Sequence, residues 1–222
     1  MIPLRDHRPT RIFPVVTYTL IAANILVFLL EMYLDSQGYL EWFFYNFAMI
    51  PSLIVEREQL YTLVTSMFMH GGIFHIFSNM LYFYIFGNNV EDSMGSGRFL
   101  IFYIICGLCA SLAHIIMDPT SAIPTLGASG AIAGVLGAYM VLYPRERIDA
   151  LLGYFFVRVP AVVVLLSWFV LQFFYAVVSL GQTGQGGVAF FAHVGGFIAG
   201  MILIFIFRKR RRDRWELERT DW

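Results

Sequence analysis

Six apolar stretches free of Asp, Glu, Lys and Arg divide this chain, at about 13–30, 71–90, 99–117, 126–143, 160–180 and 187–207. Each approaches the roughly 20 residues that a helix needs to cross a bilayer. Lipid offers no partner for exposed backbone amides, so a run of this kind has few options besides a helix. A chain of 222 residues with 59% hydrophobic and 14% charged residues lies outside the composition of soluble domains. The expected fold is all-α: a polytopic membrane protein with one six-span domain over 13–207. Residues 1–12 and 208–222 then form terminal segments on one side. The first run is too long, and too poor in a small-residue cleavage site, for a removable signal peptide, and reads as a retained helix.

Basic residues set the orientation, because Lys and Arg accumulate in cytoplasmic loops. Arg5, Arg8 and Arg11 precede the first span, Arg98 follows the second, and Arg145, Arg147 and Arg158 lie between the fourth and fifth. Seven more follow the sixth, from Arg208 to Arg219. All but Arg57 of the 15 basic residues thus fall on one face, and both termini are expected in the cytoplasm. A net charge of zero conceals this asymmetry. The basic tail suits anionic lipid headgroups better than nucleic acid.

The long first external loop, about 31–70, carries an aromatic run from Tyr39 to Tyr45 suited to short helices in the membrane interface. Gly87, Glu91 and Gly95 recur every four residues at the inner end of the second span, where the carboxylate is expected to tie backbone and side chains. Cys106 and Cys109 sit in an apolar span without other ligands and read as small core residues, and no metal or cofactor is called for. His114 reads as hydrogen-bonded structure. Pro144 to Arg147 makes a turn, and Tyr154 to Val159 is expected along the inner interface. The fifth span holds Trp168, Phe173 and no ionisable group but Tyr175, and reads as a mobile wall. The glycine-rich 181–187 loop reads as its hinge or cap.

The remaining polar residues converge. His75 and Asn79 are four apart, hence on one helix face. Ser129 lies in the small-residue run Gly127-Ala128-Ser129-Gly130, and His193 in Ala192-His193-Val194-Gly195-Gly196. Gly130 with Gly134, and Gly196 with Gly200, make two G-x-x-x-G faces that permit close helix approach. The second, fourth and sixth spans all run from outside to inside, which places these four polar residues within roughly 12 Å of the outer end. A serine hydroxyl needs a base, and histidine is suited to be one near neutral pH. An oxyanion needs donors, which Asn, a second His and a helix N-terminus supply. No Asp or Glu shares this depth, so the chemistry expected is a Ser129–His193 dyad with an oxyanion site at His75 and Asn79. Ala131 breaks the G-x-S-x-G pattern of the α/β-hydrolases.

The Gly127–Gly130 and Ala192–Gly196 motifs, with His75-x-x-x-Asn79 and Gly87-x-x-x-Glu91-x-x-x-Gly95, together resemble the rhomboid intramembrane serine proteases. The resemblance covers all six spans. It implies a six-helix bundle with Ser129 as nucleophile, His193 as general base, and His75 and Asn79 at the oxyanion. It also implies single-span membrane proteins as substrates, cut in or near the membrane where a helix is destabilised by small residues. A compact six-span form suggests a bacterial-type plasma membrane. The family often has Trp-Arg where this chain has Tyr61-Thr62, and some members carry, where Ala133 stands, an aromatic that packs on the histidine.

Two other classes compete. A catalytically silent, client-binding relative need not keep both Ser129 and His193. A transporter would show internal repeats and polar groups at mid-depth, and this chain has neither. If the fifth span gates lateral access, trimming Trp168 or Phe173 is expected to speed cleavage.

Overall fold

The computed structural model describes residues 1–179 and 189–209. The 181–187 loop and the tail from 210 onward lie outside the described residues. Six long helices carry the architecture: α1 (Val15–Ser36), α5 (Ile73–Met94), α6 (Ser96–Met117), α7 (Ser129–Leu142), α8 (Ala161–Ser179) and α9 (Phe190–Phe207). Three short ones, α2 (Leu40–Phe47), α3 (Pro51–Val55) and α4 (Thr62–Thr65), occupy the first loop. Among the described residues, α1, α6, α8 and α9 are long and apolar enough to cross a membrane. The two helices that fall short are instructive. α5 has the length but carries Asn79, Asn88, Asn89, Glu91 and Asp92, and α7 has only 14 residues.

α7 is the central post. From Gly130 to Tyr139 every residue is buried, and the helix touches α5, α6, α8 and α9. Its glycines make this possible. A Cβ on Gly196 would lie 2.1 Å from the Gly130 carbonyl oxygen, and one on Gly200 would lie 1.9 Å from that of Gly134. α7 and α9 therefore meet backbone to backbone, as small-residue faces allow. Cys106 of α6 packs into the same seam beside Gly134, as a free and buried thiol.

The far end of the bundle from Ser129 is tied by Glu91. Its carboxylate accepts from the amides of Val16 and Thr17 (3.0 and 2.8 Å), from Thr17 Oγ1 (2.8 Å) and from Ser96 Oγ (2.6 Å). It thus satisfies amides that the first turn of α1 leaves open and joins α1, α5 and α6 at one point. Gly95, at φ +83°, makes the turn between α5 and α6 in a backbone region that favours glycine.

The expectation of an all-α chain needs correction at this end. Three antiparallel strands, β1 (Ile2–Asp6), β2 (Arg147–Leu152) and β3 (Phe155–Pro160), form a sheet in the order β1-β2-β3. Residues 2–6 are accordingly a paired strand, and Tyr154 to Val159 belongs to a hairpin turning at Gly153 (φ +59°). Asp149 sits across from both Arg5 and Arg158 and holds the Arg158 guanidinium at 2.6 Å and His7 Nε2 at 2.7 Å. Opposite charges facing across strands favour this register.

Candidate active site

Ser129 is the first residue of α7, and the local sequence explains why the helix starts there. Gly127 has φ +133°, outside the helical region, and its amide donates to the Ser66 carbonyl at 2.9 Å. The approach to Ser129 is further pinned by Thr125, whose backbone exchanges hydrogen bonds with Met49 (3.0 and 2.7 Å) and whose hydroxyl lies 3.2 Å from His114 Nε2. His114 is therefore a structural tie. Since α7 begins at Ser129, the amides of its first turn have no partner inside the helix.

His193 lies in the first turn of α9, directly before the glycine seam. The seam sets the distance between the two helices. His193 Nε2 is 2.7 Å from Ser129 Oγ, and the ring is buried. Residues 64 apart in sequence are thus in hydrogen-bond contact. His75 and Asn79, from the first two turns of α5, line the same cavity, so all four residues singled out in the sequence border one space.

Each α5 residue has an informative hydrogen-bond state. The Gly71 amide donates to His75 Nδ1 at 3.3 Å, which leaves the proton on Nε2. That nitrogen is the one turned toward Gly127, since a Cβ on Gly127 would lie 2.9 Å from it. Asn79 is buried, and its Nδ2 has no partner among the described residues. Both side chains thus keep a donor that no described hydrogen bond takes up. Behind His75 lies His70, ring to ring at 5.0 Å, whose backbone amide is held by the Glu31 carboxylate at 3.1 and 3.2 Å. Burial, helped by the neighbouring His75, pushes the His70 imidazole down to about 3, so it is neutral near pH 7.

The cavity has a volume of about 710 Å³ and runs from Phe44, Gly71 and His75 down to Leu136. Leu136 is seven residues past Ser129, hence roughly 10 Å deeper along α7. Tyr82 of α5 and Trp168 of α8 form its flanks, with ring centroids 6.5 Å apart.

Two contacts on His193 went unread in the sequence. Gln172 Oε1 of α8 is 2.8 Å from His193 Nδ1. Trp168, one turn earlier, places its ring centroid 5.8 Å from that of His193. Trp168 thus supplies an aromatic neighbour from α8, whereas Ala133 on α7 is small and fully buried. The signal for Gln172 was available as a lone amide in an apolar span, a residue type that usually faces the protein interior. At the first-loop departure, Thr62 is fully buried and the Tyr61 hydroxyl donates to the Asn46 carbonyl at 2.8 Å, so the loop is anchored by other means.

Residues 57–210 match the family model described as Rhomboid domain. The chain belongs to the rhomboid family. It is similar to Rhomboid protease GluP of Bacillus subtilis (strain 168), at 33% identity over 189 residues that cover 84% of this chain and 34% of GluP. RHOMBOID-like protein 6, mitochondrial, of Arabidopsis thaliana is 28% identical over 191 residues, 82% of this chain and 52% of its own length. YdcA of the same Bacillus strain is 26% identical over 207 residues, 92% of this chain and 94% of YdcA. The chain thus spans a third to about half of the first two relatives and nearly all of the third. Family and apolar helices together make it a multi-pass integral membrane rhomboid.

Proposed function

We propose that this rhomboid is an intramembrane serine endopeptidase that cuts transmembrane segments of single-span membrane proteins through a Ser129–His193 dyad. The observation that carries this reading is the 2.7 Å approach of Ser129 Oγ to His193 Nε2, at the wall of a cavity flanked by α5 and α8. Ser129 Oγ bonds to the scissile carbonyl carbon while its proton passes to His193 Nε2, and the carbonyl electron pair moves onto oxygen. The oxyanion accepts from Asn79 Nδ2, His75 Nε2–H and the amides that open α7. The tautomer of His75 and the unpartnered Asn79 amide support those roles. Collapse breaks the C–N bond, and the leaving amine takes the proton from His193. Water then adds to the acyl ester, giving its proton to His193, and collapse breaks the bond to Ser129 Oγ, which takes that proton back.

The same reading includes six spans with the basic far end in the cytoplasm and Ser129 toward the external side of a bacterial-type plasma membrane. A transmembrane substrate reaches the serine laterally between α5 and α8, since the cavity lies between those two helices. The test is covalent labelling of the purified protein by a fluorophosphonate, followed by cleavage of a single-span substrate in liposomes. Labelling and cleavage are expected in the wild type and absent from both Ser129→Ala and His193→Ala. A folded wild type that takes no label would overturn the protease reading in favour of client binding.

A further inference from the structure

We propose that Gln172 is a positioning residue for His193, so that the base is set by α8 and not by α7 or α9 alone. The inference rests on the Ser129–His193 reading and adds a member to it. A neutral imidazole carries one proton and offers one lone pair. With Ser129 Oγ at 2.7 Å from Nε2 and Gln172 Oε1 at 2.8 Å from Nδ1, the proton sits on Nδ1 and donates to the amide oxygen. Nε2 then presents its lone pair to the serine O–H, which is the state a base requires. If the amide turned its nitrogen to Nδ1, the imidazole proton would be forced onto Nε2, and the serine would face a donor. The amide orientation and the readiness of the base are therefore one choice.

Glutamine suits this place better than a carboxylate. Ser129, His193 and Gln172 are held by helices buried in or facing lipid, where a fixed negative charge is costly and an amide far less so. Trp168 is four residues before Gln172, on the same face of α8, and it covers the His193 ring. One turn of α8 thus both orients and shields the histidine. Phe169 holds that turn down, stacked on Phe197 of α9 at 4.6 Å between centroids. When α8 moves away from α9, His193 loses its acceptor and its cover together. Chemistry is consequently confined to the state with α8 packed in place.

The experiment uses the full chain in detergent with 15N-labelled histidine. The His193 signals are found by difference from His193→Ala, and the tautomer is read from its two ring nitrogens. Wild type is expected to show the Nδ1–H form. Gln172→Leu is expected to lose that preference and to lower kcat and the fluorophosphonate labelling rate by about 10- to 100-fold, the range for losing a group that orients a histidine, with KM little changed. Gln172→Glu keeps an acceptor at a cost in thermal stability, and its folded fraction is expected to hold the Nδ1–H form and recover most of the rate, which separates positioning from a folding defect in the leucine variant. An Nε2–H tautomer in wild type, or a Gln172→Leu protein that keeps both tautomer and rate, would overturn the proposal. If wild type takes no label at all, the protease reading fails, and the tautomer shift alone still decides whether Gln172 positions the ring.

Discussion

His193 is held from two sides by unlike materials. Toward α7 the contact is backbone on backbone: the carbonyls of Gly130 and Gly134 lie where Cβ atoms on Gly196 and Gly200 would have to be. Toward α8 it is side chain on side chain, through Gln172, Trp168 and Phe169, while Leu166, Val170 and Phe174 leave the other face of that helix exposed. Backbone contact has no rotamer to change, so the α7 side fixes the spacing of Ser129 and His193. Side chains can part and return, so α8 can leave without disturbing that spacing. A reactive pair inside a membrane protein can in this way be preassembled and still admit a bulky substrate.

The largest effect is expected from breaking the rigid side. Gly200→Ala forces a methyl onto the Gly134 carbonyl, and neither backbone can give without parting the helices. Overpacking of this kind costs about 1–3 kcal/mol. Because it spreads the pair of helices that holds the dyad, fluorophosphonate labelling should fall to background even at temperatures where the protein stays folded. Gly97→Ala on α6 is the matched control, since nothing lies within 4 Å of a Cβ there. Thermal unfolding and labelling of the two variants check the contrast, and a fully reactive Gly200→Ala protein would show that the seam does not set the site.

The α8 side should respond in two separable ways. Trp168 both flanks the cavity against Tyr82 and covers His193, whereas Tyr82 has no contact with the histidine ring among those described. Phe173 belongs to neither role. Its ring packs on Phe169 and it does not line the cavity, so the two residues paired in the sequence argument part company here. Tyr82→Ala should ease lateral access and raise the cleavage rate of a transmembrane substrate by about two- to tenfold, the equivalent of one aromatic pair. Its labelling by a small fluorophosphonate should be unchanged. Trp168→Ala should slow both readouts. Faster labelling in Trp168→Ala would mean that the tryptophan gates the site without supporting the base.

Legibility in the sequence follows the same division. Ser129, His75, Asn79 and His193 could be read because each is a polar exception in an apolar span and the four agree in depth. The glycine seam was legible too, through the i, i+4 spacing of Gly130 with Gly134 and of Gly196 with Gly200. The partner of Gln172 was not, because a lone amide in an apolar span signals only that it faces the protein interior, and nothing in the span's own pattern says which neighbour it will meet. The sheet was missed for a related reason. Residues 2–6 and 147–152 are 140 or more positions apart at their pairing, as in Ile2 opposite Leu151, and short strands at a membrane edge look like tail and loop until their partner is known.

That sheet also yields the smallest expected effect, confined to the rigid half. The Asp6 carboxylate accepts from the Tyr139 hydroxyl of α7 at 3.1 Å and from Asn89 Nδ2 of α5, which straps β1 across the ends of both helices. Burial pushes this carboxyl up from the usual range to about 6. The Tyr139 hydrogen bond opposes that rise, nearby Glu146 adds to it, and His7 and Arg8 offset part of it. A carboxyl that binds its proton more tightly when folded than when unfolded favours the fold at low pH, and that advantage fades as pH rises through about 6. Attachment of β1 should therefore tighten between pH 7.5 and 5.5, seen as higher protection factors of the β1 and β2 amides once the intrinsic pH dependence of exchange is divided out. Asp6→Asn removes the titration and should hold those amides at one protection level across the range. α8 has no share in the Asp6 hydrogen bonds, so exchange around Gln172 should not follow Asp6. Equal pH dependence at Gln172, lost in Asp6→Asn, would show that the two sides of His193 are coupled after all.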